Sequence, residues 1–188
     1  MIVNIKCEFS GVVREAFRLR GHDVLSYDLI PSLDNSPYHI TGDCRQARKA
    51  DLNIWHPVCT MLTVAGARRW NVREDEQRQA ARFFLQATQD EGRWCIENPI
   101  GIMSRWYRKP DQIIQPWMFG HGETKATCLW LKGLPKLVPT NIVSGRVPRV
   151  HFESPGIVNG LTRKQRRSIT YQGIADAMAE QWGNLGQD

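Results

Sequence analysis

The sequence predicts an α/β fold, a doubly wound parallel sheet, on two observations. Strand-like and helix-like segments alternate through the first half of the chain. Polar or small residues suited to ligand chemistry then stand at four successive strand ends. Residues 2–6 read as a strand running into the turn Glu8-Phe9-Ser10-Gly11. Ser10 is placed as the N-cap of a helix over residues 12–20, with Val13, Ala16 and Phe17 on one face and Gly21 ending it. Residues 24–27 form a second strand, with Asp28 at its carboxyl end. Residues 51–55 form a third, leading into His56-Pro57-Val58-Cys59. Asn71 with Glu74 fits an N-terminal capping box for a long helix that buries Ala80, Phe83, Phe84 and Ala87, the i, i+3, i+4, i+7 stripe. Residues 93–96 make a fourth strand, ending in Glu97-Asn98-Pro99. Over residues 101–160 prolines recur and aromatic residues interleave with basic ones, so a small loop-rich insertion is expected there, with one further strand over 125–131. A closing helix over residues 168–183 places Ile174, Ala177, Met178 and Trp182 on one face.

The chain has 188 residues, 41 % hydrophobic and 23 % charged, which suits one globular domain over 1–188. A net charge of +6 favours a polyanionic partner, nucleic acid above all. Its basic residues gather in two groups, Arg105, Arg108 and Lys109, and Arg163, Lys164, Arg166 and Arg167. No apolar run approaches the roughly 18 residues of a membrane span, and Lys6 interrupts the amino end too soon for a secretory signal. A cytoplasmic protein is therefore expected. The five cysteines, Cys7, Cys44, Cys59, Cys95 and Cys128, include no Cys-x-x-Cys pair. They form neither a disulfide framework nor a zinc site, and no metal is expected.

In an open α/β sheet, ligands bind outside the carboxyl ends of the strands. The turn Phe9-Ser10-Gly11 joins the first strand to the first helix, where a glycine admits close approach and the helix end offers free N–H groups. One glycine is not the Gly-x-Gly-x-x-Gly loop of dinucleotide binders. Asp28 suits the two hydroxyls of a ribose, since one carboxylate accepts both hydrogen bonds. Asp43 suits an exocyclic amine, although a Gly-Asp turn explains it equally well. A thiolate at Cys59 suits attack on an electron-poor ring carbon. A carboxyl group at Glu97 suits a ring nitrogen, holding or protonating it. Neighbouring strand ends bring the two onto one substrate. Arg68 and Arg69, on the loop after Cys59, suit phosphate contacts.

Taken in order, Phe9-Ser10-Gly11, Asp28, Asp43, His56-Pro57-Val58-Cys59-Thr60 and Glu97-Asn98-Pro99 resemble the DNA cytosine-5 methyltransferases. The whole chain is similar to small phage and prophage proteins of that family, through Cys7-Glu8-Phe9-Ser10-Gly11, Lys125-Ala126-Thr127-Cys128-Leu129-Trp130 and Gly173-Ile174-Ala175-Asp176-Ala177-Met178. The resemblance implies a Rossmann-like class I methyltransferase sheet, S-adenosylmethionine as methyl donor and DNA as partner. It assigns Phe9, Ser10, Gly11, Asp28, Asp43, His56 and Pro57 to the cofactor. Cys59 would add to carbon 6 of a cytosine, Glu97 would engage ring nitrogen 3, and Arg105 would steady the substrate. Arg68, Arg69, Arg108 and Lys125 would contact DNA. Two departures stand out. Val58 occupies the position before the nucleophile where the family has proline, and Pro99 replaces the valine after Glu97-Asn98. The short segment 101–160 leaves little room for a target-recognition domain. Two rival readings are an amino-group methyltransferase acting on cytosine or adenine, and a degenerate methyltransferase fold that binds DNA or protein.

Overall fold

The structure, a computed structural model, describes residues 1–64, 67, 73–148 and 152–185. In chain order its elements are β1 (Ile2–Lys6), α1 (Val12–Arg18), β2 (Asp23–Asp28), β3 (His39–Thr41), β4 (Leu52–Trp55), α2 (Glu74–Ala87), β5 (Arg93–Pro99), α3 (Met103–Trp106), β6 (Gln112–Ile114), β7 (Thr127–Lys132), β8 (Ile157–Val158), β9 (Leu161–Thr162), α4 (Arg163–Ser168) and α5 (Gln172–Gly183). Seven strands form one sheet in the order β3-β2-β1-β4-β5-β7-β6. The first five run parallel, while β7 is antiparallel to both its neighbours. The fold is thus a mixed α/β sheet, mostly parallel.

Burial explains why these segments became strands. Every residue of β4 is buried, and so are four of the five in β1, as central parallel strands covered on both faces require. Side chains alternate between two apolar clusters. Val3, Ile5, Leu52, Ile54 and Cys95 face α1 and α5, together with Phe17, Met178 and Trp182. Trp55, Trp94, Ile96 and Trp130 face the other way, against Ala81, Phe84 and Ala87 of α2 and Met103 of α3. Helices therefore cover both faces.

Several elements differ from expectation. Segment 101–160 is not an insertion throughout, because its first half supplies α3 and two strands of the sheet. β7 returns antiparallel because the link from β6 contains only a short 3₁₀ turn, Pro116–Met118, and no crossover helix. β3 was not anticipated, since its three residues are too few to show a period. Ser10 is not the N-cap of α1: that place belongs to Gly11, with φ 78°. Two side chains serve the helix end: Ser10 Oγ accepts from Val12 N at 3.4 Å, and the Glu8 carboxylate accepts from Val13 N at 2.7 Å and Arg14 N at 3.3 Å. On α2 the buried face is Gln77, Ala81, Phe84 and Ala87, with Ala80 and Phe83 half-buried beside it. The expected cap, Asn71, lies outside the described residues. The closing helix begins at Gln172, and its expected face is buried, with Ala175 and Ala179 added.

The start of α5 is held by a close backbone approach. A Cβ at Gly173 would collide with the carbonyl oxygen of Phe119. Gly173→Ala should therefore lower stability by roughly 1–3 kcal/mol, the cost of overpacking against a fixed neighbour. Urea denaturation monitored by tryptophan fluorescence checks this, and an unchanged midpoint would contradict the packing described.

Candidate active site

The parallel strands end together, and the expected residues emerge at that edge. Register does the first part of the work. Trp55 of β4 pairs with Ile96 of β5, so the next residues, His56 and Glu97, leave the sheet side by side. His56 Nδ1 and Glu97 Oε2 lie 2.6 Å apart. One residue further along each strand, Asn98 Nδ2 donates to Pro57 O at 3.0 Å. The two loops are thereby tied twice.

The turn carrying Cys59 is clamped by backbone contacts. Cys59 O accepts from Leu62 N and Thr63 N, each at 2.9 Å, and Ile102 N donates to Leu62 O at 2.8 Å. From α2, Gln77 Nε2 donates to Met61 O at 3.1 Å. A buried glutamine on a helix face is explained by this carbonyl, which otherwise faces the core side of the turn. Sequence reading passed over Gln77 because its partner is 16 residues away. Val58 is half exposed.

The electrostatics of the edge form an alternating array. Burial works against a charged imidazole at His56, but the Glu97 hydrogen bond and the charges of Glu97 and Glu8 outweigh it, so its pKa is raised. Burial also opposes ionisation of Glu97, yet the His56 contact and the positive charge of Lys125 hold its carboxyl below the usual range. At Glu8 burial wins, and its pKa rises despite two backbone N–H donors. The Cys59 thiol is pushed up by burial and by the Glu97 charge, while Lys125 and Lys164 pull it down. Cys59, Glu97, His56 and Lys125 thus share one electrostatic neighbourhood.

Other expected residues are placed as follows. Asp28 ends β2, half-buried, with Oδ1 accepting from Ile30 N at 3.3 Å and its pKa raised by burial. Asp43 caps the following 3₁₀ turn and grips Arg45 through both oxygens at 2.9 and 2.5 Å, so its carboxylate is largely committed. Beside it, the sulfurs of Cys7 and Cys44 lie 3.6 Å apart; that contact and burial raise Cys7, and the same contact lowers Cys44. Phe9 is buried. A Cβ at Gly11 would strike the buried Arg14 guanidinium, which is paired with Asp34. Glycine therefore suits both the left-handed backbone here and the room that ion pair takes.

Arg105 is exposed on α3. Arg108, expected on the DNA side, lies toward the opposite end of the sheet, bound to Asp111 at 2.8 Å and to Leu131 O at 3.2 Å; Leu131 pairs with Cys95, well before the end of β5. Lys125 does not point to an open surface. It sits beside Glu97, and its Nζ donates to Arg167 O at 2.8 Å. Arg68 and Arg69 lie outside the described residues. Among the described residues there is no group of three or more side chains able to hold a metal, and no helix is long and apolar enough to cross a membrane.

The fold is a mixed, mostly parallel α/β sheet of seven strands, consistent with a methyltransferase-like fold. No family model and no curated protein matches the chain. Among solved structures it is similar to one described as a candidate DNA modification methyltransferase encoded within a prophage (E. coli). The TM-score is 0.51 at 14 % identity, over 84 % of this chain and 56 % of that one. The chain therefore spans little more than half the length of that structure, and the likeness is one of fold.

The charge array makes the thiol titration testable without any substrate. Thiolate is the reactive form, so alkylation of Cys59 by iodoacetamide should rise with pH to a midpoint above the ordinary thiol value of 9.0. Glu97→Gln removes a charge that raises this midpoint and should move it down. Lys125→Met removes one that lowers it and should move it up. Peptide mass spectrometry of Cys59 across pH reads both shifts, and shifts of the same sign would refute the array.

Proposed function

We propose that the protein is an S-adenosylmethionine-dependent DNA methyltransferase that acts on carbon 5 of cytosine, built on a doubly wound Rossmann-like sheet. The reading is carried by one observation: the β4 and β5 ends are tied twice, and the Glu97 charge at one of them is felt at the Cys59 thiol that follows the other. The methyltransferase-like fold and the net positive charge support it.

In this reading Asp28 holds the ribose hydroxyls of the cofactor. Its fit rests on a carboxylate at a strand end with capacity left beyond the N–H donors of Ile30 and Leu29. His56 supplies a second point of contact. Its Nε2 is buried and has no hydrogen-bond partner among the described residues, so it offers a polar atom to the methionine end. Phe9, Ser10 and Pro57 line the same edge, and Asp43 reaches the adenine amine only through lone pairs that Arg45 leaves open. The cofactor supplies an electrophilic methyl group.

The chain's own residues do the rest. The Cys59 thiolate adds to carbon 6 and forms a C–S bond. The ring π electrons move toward nitrogen 3, which takes a proton that His56 passes through the Glu97 carboxylate, and carbon 5 becomes nucleophilic. His56 is the nearest proton source for Glu97, 2.6 Å away. Once carbon 5 carries the methyl group, solvent takes the carbon 5 proton, the C–S bond breaks to release the thiolate, and nitrogen 3 returns its proton to Glu97, which restores the aromatic ring. Lys125 holds the negative charge that the thiolate and Glu97 share. Arg105 steadies the base, and Arg68 and Arg69 contact phosphates.

Wild-type protein should form a covalent complex on a denaturing gel with DNA carrying 5-fluorocytosine, because fluorine cannot leave as a cation. Cys59→Ser should abolish it, since a hydroxyl supplies almost no anion at neutral pH. Val58→Pro should retain it. Nucleoside mass spectrometry of treated DNA should show 5-methylcytosine. An amino-methylated base, or no trapped complex with full activity in Cys59→Ser, would defeat the cysteine mechanism.

Asp28→Ala should weaken S-adenosylmethionine binding by about 1–3 kcal/mol, the cost of lost hydrogen bonds to a charged group. Titration calorimetry measures it, and unchanged affinity would remove Asp28 from the cofactor site.

A further inference from the structure

Beyond the sheet, residues 152–168 form a separate projection. β8 and β9 make a two-stranded hairpin, closed by Asn159 and Gly160 with φ of 51° and 76°, both left-handed as a tight hairpin turn needs. Its apolar residues are not covered. Ile157 is 72 % exposed, Val158 41 % and the neighbouring Phe152 76 %. An isolated two-stranded hairpin is marginal in water, and this one is stabilised from one side only. Arg166 reaches back to the carbonyls of Ser154, Gly156 and Leu161 at 2.7, 3.2 and 2.6 Å, and a capping box at Thr162 and Gln165 starts α4 directly from the second strand. The base of the hairpin is fixed while its apolar side faces solvent.

The other half of the projection is basic and abuts the candidate active site. The backbone of Arg167 accepts from Lys125, the lysine beside Glu97. Lys164 is exposed, and its charge is felt at the Cys59 thiol. Thr170 and Tyr171, just after α4, line a small recess with Glu97 and Lys125. An apolar blade and a cationic helix therefore stand together at the mouth of the site. Other exposed apolar residues, such as Leu29 and Ile40 near the β3 edge, have no such basic helix joined to them.

We propose that the hairpin 156–162 and α4 form the surface that docks duplex DNA, with Lys164 and Arg167 on backbone phosphates and Ile157 and Val158 entering the base stack. The inference rests on the DNA-methyltransferase reading and names the part of the chain that meets the substrate. Cations on α4 match the phosphate charge. Apolar side chains inserted between base steps unstack and kink a duplex. An enzyme that acts on a base must also take that base out of the stack, so a wedge joined to α4, whose Arg167 carbonyl holds the lysine beside Glu97, serves the chemistry. The exposed Ile157 and Val158 are thereby covered on binding.

The test uses fluorescence anisotropy of a labelled mixed-sequence duplex with the full chain, titrated from low to moderate salt. Lys164→Ala with Arg167→Ala should flatten the slope of log affinity against log salt by about 1.8, the value for two lost phosphate contacts. Ile157→Ser with Val158→Ser should lower affinity roughly 10-fold at every salt concentration with the slope unchanged, the signature of a lost apolar contact. The wedge variant should also bind single-stranded DNA as wild type does, since no stack has to be opened. Both variants should keep the wild-type melting temperature and S-adenosylmethionine affinity, because the altered side chains lie outside the core. Wild-type affinity and slope in both variants would overturn the proposal and reassign the surface to a protein partner. Absence of DNA binding by the wild-type chain at any salt would instead refute the DNA-methyltransferase reading itself.

Discussion

The contact between His56 and Glu97 is the interaction on which the candidate site depends. It joins the ends of two adjacent parallel strands, and the strand register delivers both residues to it. Side-chain exposures of 11 % and 16 % leave little water to stabilise either charge alone. Such a pair is costly to desolvate, and removing one member commonly costs about 3–5 kcal/mol because the other is left buried and uncompensated. The contact therefore fixes the Glu97 carboxyl in place, and the neighbouring Asn98–Pro57 bond carries that constraint into the loop that presents Cys59.

Charges around this pair extend it into a chain. Glu8 caps α1 and also faces His56, so the first helix and the site share one buried carboxylate. Lys125 faces both Glu97 and Cys59 from the start of β7, and it is held by the backbone of α4. The projection 152–168 is thus linked to the reactive edge through one lysine. Packing supports the same arrangement from behind, where Gln77 of α2 holds the turn after Cys59. A site assembled from four strand ends stays in place because each end is tied to a neighbour rather than to itself.

The antiparallel β7 matters for the same reason. A seventh parallel strand would begin at the far end of the sheet. Running the other way, β7 brings its first residues to the edge where β5 ends, with Thr127 opposite Pro99 and Lys125 just before it. One reversed strand therefore adds a cation to an edge otherwise supplied by strand ends. It also explains why Arg108 and Lys125, both basic residues of the same stretch, came to opposite ends of the sheet.

By itself the sequence determined the alternation of strands and helices, because central strands buried on both faces and a helix with an apolar stripe leave readable periods. It also determined that Asp28, Cys59 and Glu97 stand at strand ends, since each follows an apolar run that stops at a polar residue. Tertiary structure alone decided what those residues touch. Arg14 beside Gly11 pairs with Asp34, and Gln77 of α2 reaches Met61 O. Local sequence carries no trace of such partners when they lie on other elements. The pairing of His56 with Glu97 spans 41 positions and exists only through the register of β4 on β5. Hydrophobic period is a property of neighbouring residues, whereas a polar contact depends on where the whole sheet brings two strand ends together.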